Sequence, residues 1–287
     1  MESVQNRSRA AILMASAALL LSLVPVCVKS IPVDSGVTTS HKLFARAFVS
    51  MLVTLTALLF RRASLRPGNP LLLGARSLLG IGGMITYFTA VEMLPLAEAV
   101  TLNRLSPFFV LIFSRLFLGE KLGRVQLAAV SAGFAGVAVI TRPGSVHFTL
   151  PAGLALVSAV FAGGAYTALR GLRKTDGPLV IVFWFSLLMS LAFLPGVLLE
   201  WQMPDGRSLL LLAMIGVFGA SGQLLMTAAY RCAPGGQVAI YGYLSLLFSI
   251  GWQAAFFDSF PEAAVIAGAG LILLGGWINY AGGDKRG

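Results

Sequence analysis

Ten long apolar runs, each near the length needed to cross a lipid bilayer, limit this chain more than any other feature. A helix needs roughly 20 mostly apolar residues to span a hydrocarbon core about 30 Å thick. The runs fall at about 10–28, 42–60, 71–92, 96–115, 124–141, 151–170, 178–199, 208–230, 235–257 and 262–281. Short turns separate them, such as Asp176-Gly177-Pro178 and Pro204-Asp205-Gly206, and none is long enough to be a soluble domain. Charged residues make up only 11% of the chain, against about 25% in a soluble domain. Lipid therefore has to cover most of the surface. Spans of this length in lipid are helices, because each backbone polar group must find its partner within the segment. The expected fold class is an all-α integral membrane protein with ten transmembrane helices. The first run is read as a helix rather than a signal peptide: the residues at the −3 and −1 positions before Cys27 are bulky, where cleavage sites favour small ones.

The basic residues orient the chain. Fourteen of the 21 Lys and Arg fall at the ends of the spans on the side bearing the N-terminus, four fall on the other side, and three (Arg46, Arg76 and Arg104) lie inside spans. Cytoplasmic segments carry the excess of Lys and Arg, so both termini are expected in the cytoplasm and the protein in a bacterial inner (plasma) membrane. The net charge of +10 is spread between the apolar runs and not gathered in one segment. That is the pattern of a membrane protein and not of a nucleic-acid binder. Cys27 and Cys232 belong to opposite membrane faces and form no disulfide framework. His41 and His147 fall in expected loops, no cluster has metal-ligand spacing, and nothing calls for a cofactor.

An offset of 139 residues aligns Leu71–Gly144 with a later stretch without gaps. The identities include Gly80/Gly219, Gly83/Gly222, Pro95/Pro234, Leu105/Leu244, Ser106/Ser245 and Gly136/Gly275. Apolar coincidence does not readily place the proline opening helix 4 on the one opening helix 9. The repeats are expected at 10–144 and 150–283. Each holds five spans, an odd number, so the second enters the membrane from the other side. Inverted repeats of this kind are common in secondary transporters, because two similar packings of opposite sense give two states of similar energy, each open to one side.

The run Leu94-Pro95-Leu96-Ala97-Glu98-Ala99 is followed by Leu105-Ser106-Pro107 and then Phe117-Leu118-Gly119-Glu120-Lys121. Together these resemble the signature of the EamA family of the drug/metabolite transporter superfamily. The second copy, Ala233-Pro234-Gly235-Gly236 to Leu244-Ser245, is weaker, with Leu246 in place of the proline and Asp258-Ser259 in place of Gly-Glu. The resemblance implies a ten-helix transporter with cytoplasmic termini and a central substrate cavity. It implies no particular substrate.

Arg104 is the first candidate for substrate binding. It lies nine residues after Pro95, roughly 14 Å deep at about 1.5 Å per residue. A charge at mid-bilayer costs on the order of 2.5–3.5 kcal/mol and usually faces a bundle interior or a watery cavity. The repeat places Tyr243 opposite it at the same depth, so a cavity between helices 4 and 9 is expected to offer a cation and a phenol. Thr101 shares a helix face with Arg104, and Asn103 and Tyr241 lie beside the pair. Gln223, Tyr87 and Trp184 are further polar-capable side chains at expected mid-depth, with packing as their alternative role. Glu98 is a candidate for proton coupling or for capping the start of helix 4. Arg46, one turn into helix 2, and Arg76, one and a half turns into helix 3, are candidate structural or gating charges; Arg46 also resembles an arginine often seen there in the family. A guanidinium in the cavity points to a small organic substrate with a carboxylate or phosphate.

Ala128, Ala132 and Gly136 form a small-residue stripe on helix 5, and Ala264 and Gly268 form one on helix 10. Such stripes allow close helix approach; they either hold the halves together or form the face of a homodimer. Pro25, Pro107 and Pro195 are expected to kink their spans. The partners expected are the lipid bilayer and a small-molecule substrate, with no nucleic acid. The alternatives are a channel, a non-transporting scaffold or an integral-membrane enzyme. The chain has no HExxH, no Gly-x-Ser-x-Gly and no P-loop, so it is not expected to be an enzyme, and its energy has to come from a gradient or exchange.

Overall fold

A computed structural model of the chain describes residues 2–119, 123–141, 149–172, 175–200, 203–232 and 241–283. The helices are α1 (Glu2–Ser30), α2 (Thr39–Phe60), α3 (Pro70–Met93), α4 (Leu96–Asn103), α5 (Ser106–Leu118), α6 (Arg124–Thr141), α7 (Leu150–Leu172), α8 (Pro178–Leu199), α9 (Gly206–Cys232), α10 (Leu244–Phe257) and α11 (Ala263–Gly283). Counting α4 and α5 as one broken span, nine described segments are long and apolar enough to cross a membrane, and α10 is a shorter apolar helix. The first span starts at Glu2, earlier than apolarity alone implies, because a helix runs on past its apolar stretch where backbone bonds continue. His147, Arg142 to Gly144, Lys121, Pro234 and the side chain of Cys232 lie outside the described residues. His41 is not in a loop: it stands in the first turn of α2, where its Nδ1 and the Thr38 side chain form a capping box.

The two halves are related with opposite sense. The 139-residue offset carries the first residue of α2 onto that of α8 and the last residue of α3 onto that of α9. Helix α1 packs along α9, and its counterpart α7 packs along α3. Helix α2 meets α8 and helix α6 meets α11, each lying against its own repeat partner across the approximate two-fold. The main apolar core joins both halves, with Val28, Leu43, Phe88, Leu102, Ile215 and Leu246 all buried. Large apolar side chains such as Leu78, Phe117, Leu198 and Trp277 are exposed on the outside, where lipid is the natural solvent.

Small residues make the α6–α11 contact. A Cβ added at Gly268 would stand 2.6 Å from the Gly136 carbonyl oxygen, and one at Gly275 2.7 Å from that of Ala129. The buried face of α6 runs through Ala129, Gly133, Gly136 and Ile140, one residue round from the expected stripe, and Ala128 is exposed. The stripes thus join the two halves of one chain.

Span 4 is not the continuous helix its apolarity implied. It breaks at Arg104 and Leu105. Pro107 has no N–H to offer the Asn103 carbonyl, and the chain tightens: the Arg104 N–H donates to the Val100 and Thr101 carbonyls, each at 3.1 Å, and the Leu105 N–H to that of Leu102 at 3.2 Å. The same interruption recurs at Tyr243 without a proline, where the Leu246 N–H donates to the Tyr243 carbonyl at 2.9 Å. There the packing imposes it: the Tyr243 ring lies over Gly276 of α11, 2.5 Å from where a Cβ would be.

Polar side chains pin the ends. Lys42 of α2, buried, pairs with Glu92 of α3 at 2.8 Å, and the Thr39 hydroxyl donates to the same carboxylate. Lys29 donates to the Val91 and Leu94 carbonyls at the end of α3, meeting acceptors that a helix C-terminus leaves unpaired. Asp176, between α7 and α8, accepts from the Gly68 and Asn69 N–H groups ahead of α3 and from the Thr175 hydroxyl. Burial works against its charge, but these three donors outweigh it and hold the carboxyl below its usual range.

Two predictions follow from these contacts. Gly268→Leu, by thermal unfolding in detergent, is expected to destabilise by on the order of 1–3 kcal/mol through overpacking; Gly270→Leu, with nothing within 4 Å of a Cβ, is expected to leave the transition unmoved. Asp176 has a depressed pKa, so its stabilisation is fully present above the unfolded value of 3.8 and is lost as pH falls through the lower folded value. The stability gap between wild type and Asp176→Asn is therefore expected to be constant from neutral pH to about 4 and to close below that, in unfolding curves taken across pH.

Candidate central cavity

A small cavity of about 10 Å³, the room of about one water molecule, lies between α2, α8 and α9, lined by Arg46, Ser50, Phe185, Ser186, Gly219 and Gln223 among others. Arg46 is seven residues into α2, about 10 Å along the helix, deeper than expected because α2 begins earlier than its apolar run. Gly219 makes the room: a Cβ there would stand 3.3 Å from the Arg46 Cγ. The repeat offset carries Arg46 onto Phe185, so two equivalent positions line one cavity from opposite halves. A cavity at the crossing of α2 and α8 is therefore reached by related elements from both membrane faces.

The other cations approach the same region. Tyr87 on α3 lies within electrostatic range of both Arg46 and Arg104. Tyr166 on α7 is likewise within range of Arg46 and of Arg76. Arg104, half-buried, stands at the break that ends α4. A helix end there leaves backbone carbonyls open beside a guanidinium, in the manner of discontinuous transporter helices. Arg76 is 7% exposed. Its guanidinium lies 4.0 Å from the Phe185 ring centroid, while its Nε and Nη1 have no hydrogen-bond partner. A desolvated cation–π contact is worth about 2 kcal/mol, less than the roughly 2.5–3.5 kcal/mol cost of a charge at mid-bilayer. The ring alone does not offset the burial. Among the described residues, none of the three guanidiniums has a carboxylate within 4 Å. The three guanidiniums therefore leave fixed positive charge at depth among the described residues.

The remaining expected site residues are distributed as follows. Tyr243 is 7% exposed over Gly276, and Tyr241 is 38% exposed. Thr101 is fully buried, and its hydroxyl donates to the Ala97 carbonyl of its own helix at 2.6 Å. Asn103 donates to the Ser158 hydroxyl at 2.8 Å, tying span 4 to α7. Trp184, near the start of α8, donates its indole N–H to the Leu65 carbonyl in the α2–α3 loop. Glu98 is half-buried in the first turn of α4, within electrostatic range of Glu262. No group of three or more metal-ligating side chains stands together among the described residues.

Sequence reasoning passed over Phe185, Tyr166, Ser158 and Gln253. Gln253 of α10, 3% exposed, accepts from the Ala97 N–H at 2.8 Å and so caps the start of α4 across the repeat boundary. Phe185 was within reach: the 139-residue offset, extended to helix 2, lands on it from Arg46. No local signal marks Gln253, because its partner is a backbone N–H 156 residues away.

The comparisons with known proteins agree with this architecture. The model of the EamA-like transporter family matches residues 8–142 and again 149–281. The chain therefore belongs to that family, and it is a multi-pass membrane transporter and not an enzyme. It is 35% identical over 236 residues to the pseudopaline exporter CntI of Pseudomonas aeruginosa, covering 80% of this chain and 82% of that one. It is 31% identical to a riboflavin transporter of Rhizobium johnstonii over 69% of this chain and 66% of that one. Human solute carrier family 35 member G1 is 28% identical over 78% of this chain and 66% of its own. A solved crystal structure at 21% identity shares the fold, with a TM-score of 0.68 over 95% of this chain and 97% of that one.

Gln253→Leu removes the acceptor for a buried N–H, which costs about 1–3 kcal/mol. Its thermal transition in detergent is expected to fall accordingly; an unmoved transition would show that the α4 start is held by other means.

Proposed function

We propose that this transporter carries a small organic metabolite with a carboxylate or phosphate group, free or zwitterionic, across a bacterial inner membrane by alternating access. The two halves, taken as residues 10–144 and 150–283, rock against one another about the crossing of α2 and α8, with both termini in the cytoplasm. One observation carries the reading: three guanidiniums at depth, with no carboxylate within 4 Å of any of them among the described residues. An anionic group on the substrate supplies the missing charge, and Arg46 and Arg104 hold it, with Tyr87 between them. Gln223 and Ser50 offer hydrogen bonds to the rest of the molecule. Asn103, Thr101 and Trp184 serve this site by fixing the helices around it. Tyr243, Tyr241 and Glu98 act at the second interruption and at the start of span 4, Glu98 as the candidate proton-coupling group. The similarity to a named exporter and a named metabolite transporter supports the class of function and leaves the direction to coupling.

The test is counterflow in proteoliposomes with a panel of anionic, zwitterionic and cationic metabolites, comparing wild type with Arg46→Gln and Arg104→Ala. Saturable exchange of an anionic or zwitterionic compound is expected, with each variant losing on the order of 10-fold or more in kcat/KM, about 1.4 kcal/mol per tenfold, while still inserting in the membrane. A preference for cations, or variants as active as wild type, would overturn the anion reading. Flux without counterflow would identify a channel.

A further inference from the structure

Arg76 has no role in the cavity as described so far, yet its placement is hard to explain as packing. It is six residues into α3, about 9 Å along the helix from the face that bears the N-terminus. Arg46 is a similar distance from the opposite face. The two cations thus approach the cavity from its two ends. Phe185 stands between them: one side of its ring meets the Arg76 guanidinium, and the ring also lines the Arg46 cavity. Gly80 keeps the space open, since a Cβ there would stand 2.7 Å from the Arg76 Nη1 and 2.8 Å from the Phe185 ring. Two of the guanidinium's nitrogens face this region without a hydrogen-bond partner while the side chain is buried. A buried charge left in this state is suited to a partner that arrives only part of the time.

We propose that Arg76 is a second anion-binding group on the transport path, screened from the Arg46 cavity by the Phe185 ring, and that a carboxylate or phosphate passes from one guanidinium to the other as the cavity changes its open side. The proposal rests on the anion reading above. Arg46 and Phe185 occupy equivalent places in the two halves, so the α2–α8 crossing carries a cation on one side of the two-fold and a movable ring on the other. Rocking the halves shifts α8 against α3, and turning the ring aside joins the Arg76 space to the cavity. A substrate group leaving Arg46 then meets a second cation before it meets water, which keeps the translocation step from stranding an anion in a low-dielectric space.

The experiment uses full-length protein in proteoliposomes, with Cys27→Ser and Cys232→Ser as background, and probes single Arg46→Cys and Arg76→Cys variants with small thiol reagents. One reagent carries a sulfonate and the other a quaternary ammonium, and rates are normalised to those with free thiol. Both engineered thiols are expected to react, that of Arg76→Cys from the face bearing the N-terminus, and the sulfonate reagent at least 10-fold faster than the ammonium reagent. Adding Phe185→Ala is expected to speed labelling of the Arg76→Cys thiol at least 5-fold, as the ring that screens it is removed. Labelling of the Arg46→Cys thiol alone would overturn the relay while leaving the central site standing. Labelling of neither would overturn the wet cavity and with it the anion reading. Equal rates for the two reagents at Arg76→Cys would overturn the anion role. If Arg76→Cys fails to insert, Gly80→Ala replaces it: the proposal expects counterflow of the panel's best anion to fall at least 5-fold, and undiminished counterflow would overturn it.

Discussion

Backbone polar groups surrounded by hydrocarbon must pair within the protein, and the rest of the structure depends on how this chain meets that demand. Long helices meet it automatically, which accounts for most of the residues. The informative places are those where helices stop inside the bundle. Span 4 breaks at Arg104 and span 9 at Tyr243, and such breaks are tolerated at membrane depth only where protein or a water-lined cavity surrounds them. Here Gln253 caps the start of α4 and Lys29 caps the end of α3, while the cavity is lined from α2, α8 and α9 and by neither break.

The second constraint is the approximate two-fold. Close approach of α6 and α11 through Gly136 and Gly268 holds the halves without the hydrophobic driving force that lipid removes. Equivalent contacts recur with different residues, as at Gly275 and Ala129, so the geometry is repeated although the sequence has diverged. The two halves differ at the arginines. Arg104 faces Tyr243 in the repeat, and Arg46 faces Phe185.

Among the described residues the three guanidiniums at depth have no carboxylate within 4 Å. Two carboxylates are engaged elsewhere: Glu92 with Lys42 at one face and Asp176 with backbone N–H groups at the other. Membership of the EamA-like family and the resemblance to named transporters support the class of protein.

By itself the sequence determined the number of spans, their opposite-handed pairing and the three arginines at depth, because each of these follows from apolar length, odd span count and position along a helix. It did not determine which arginine lines the cavity. Arg104 was the natural choice from depth alone, while the structure places Arg46 on the cavity wall and Arg104 at the helix break, outside the lining. Depth along one helix is local, but facing is a property of the helices packed against it. The small-residue stripe on α6 was shifted by one position for the same reason: facing depends on the crossing with α11. The caps at Gln253 and Lys29, and the stacking of Arg76 on Phe185, bring together residues far apart in the chain whose partners are backbone groups or a ring face. Only the folded bundle sets those distances, since no periodicity in a single segment records them.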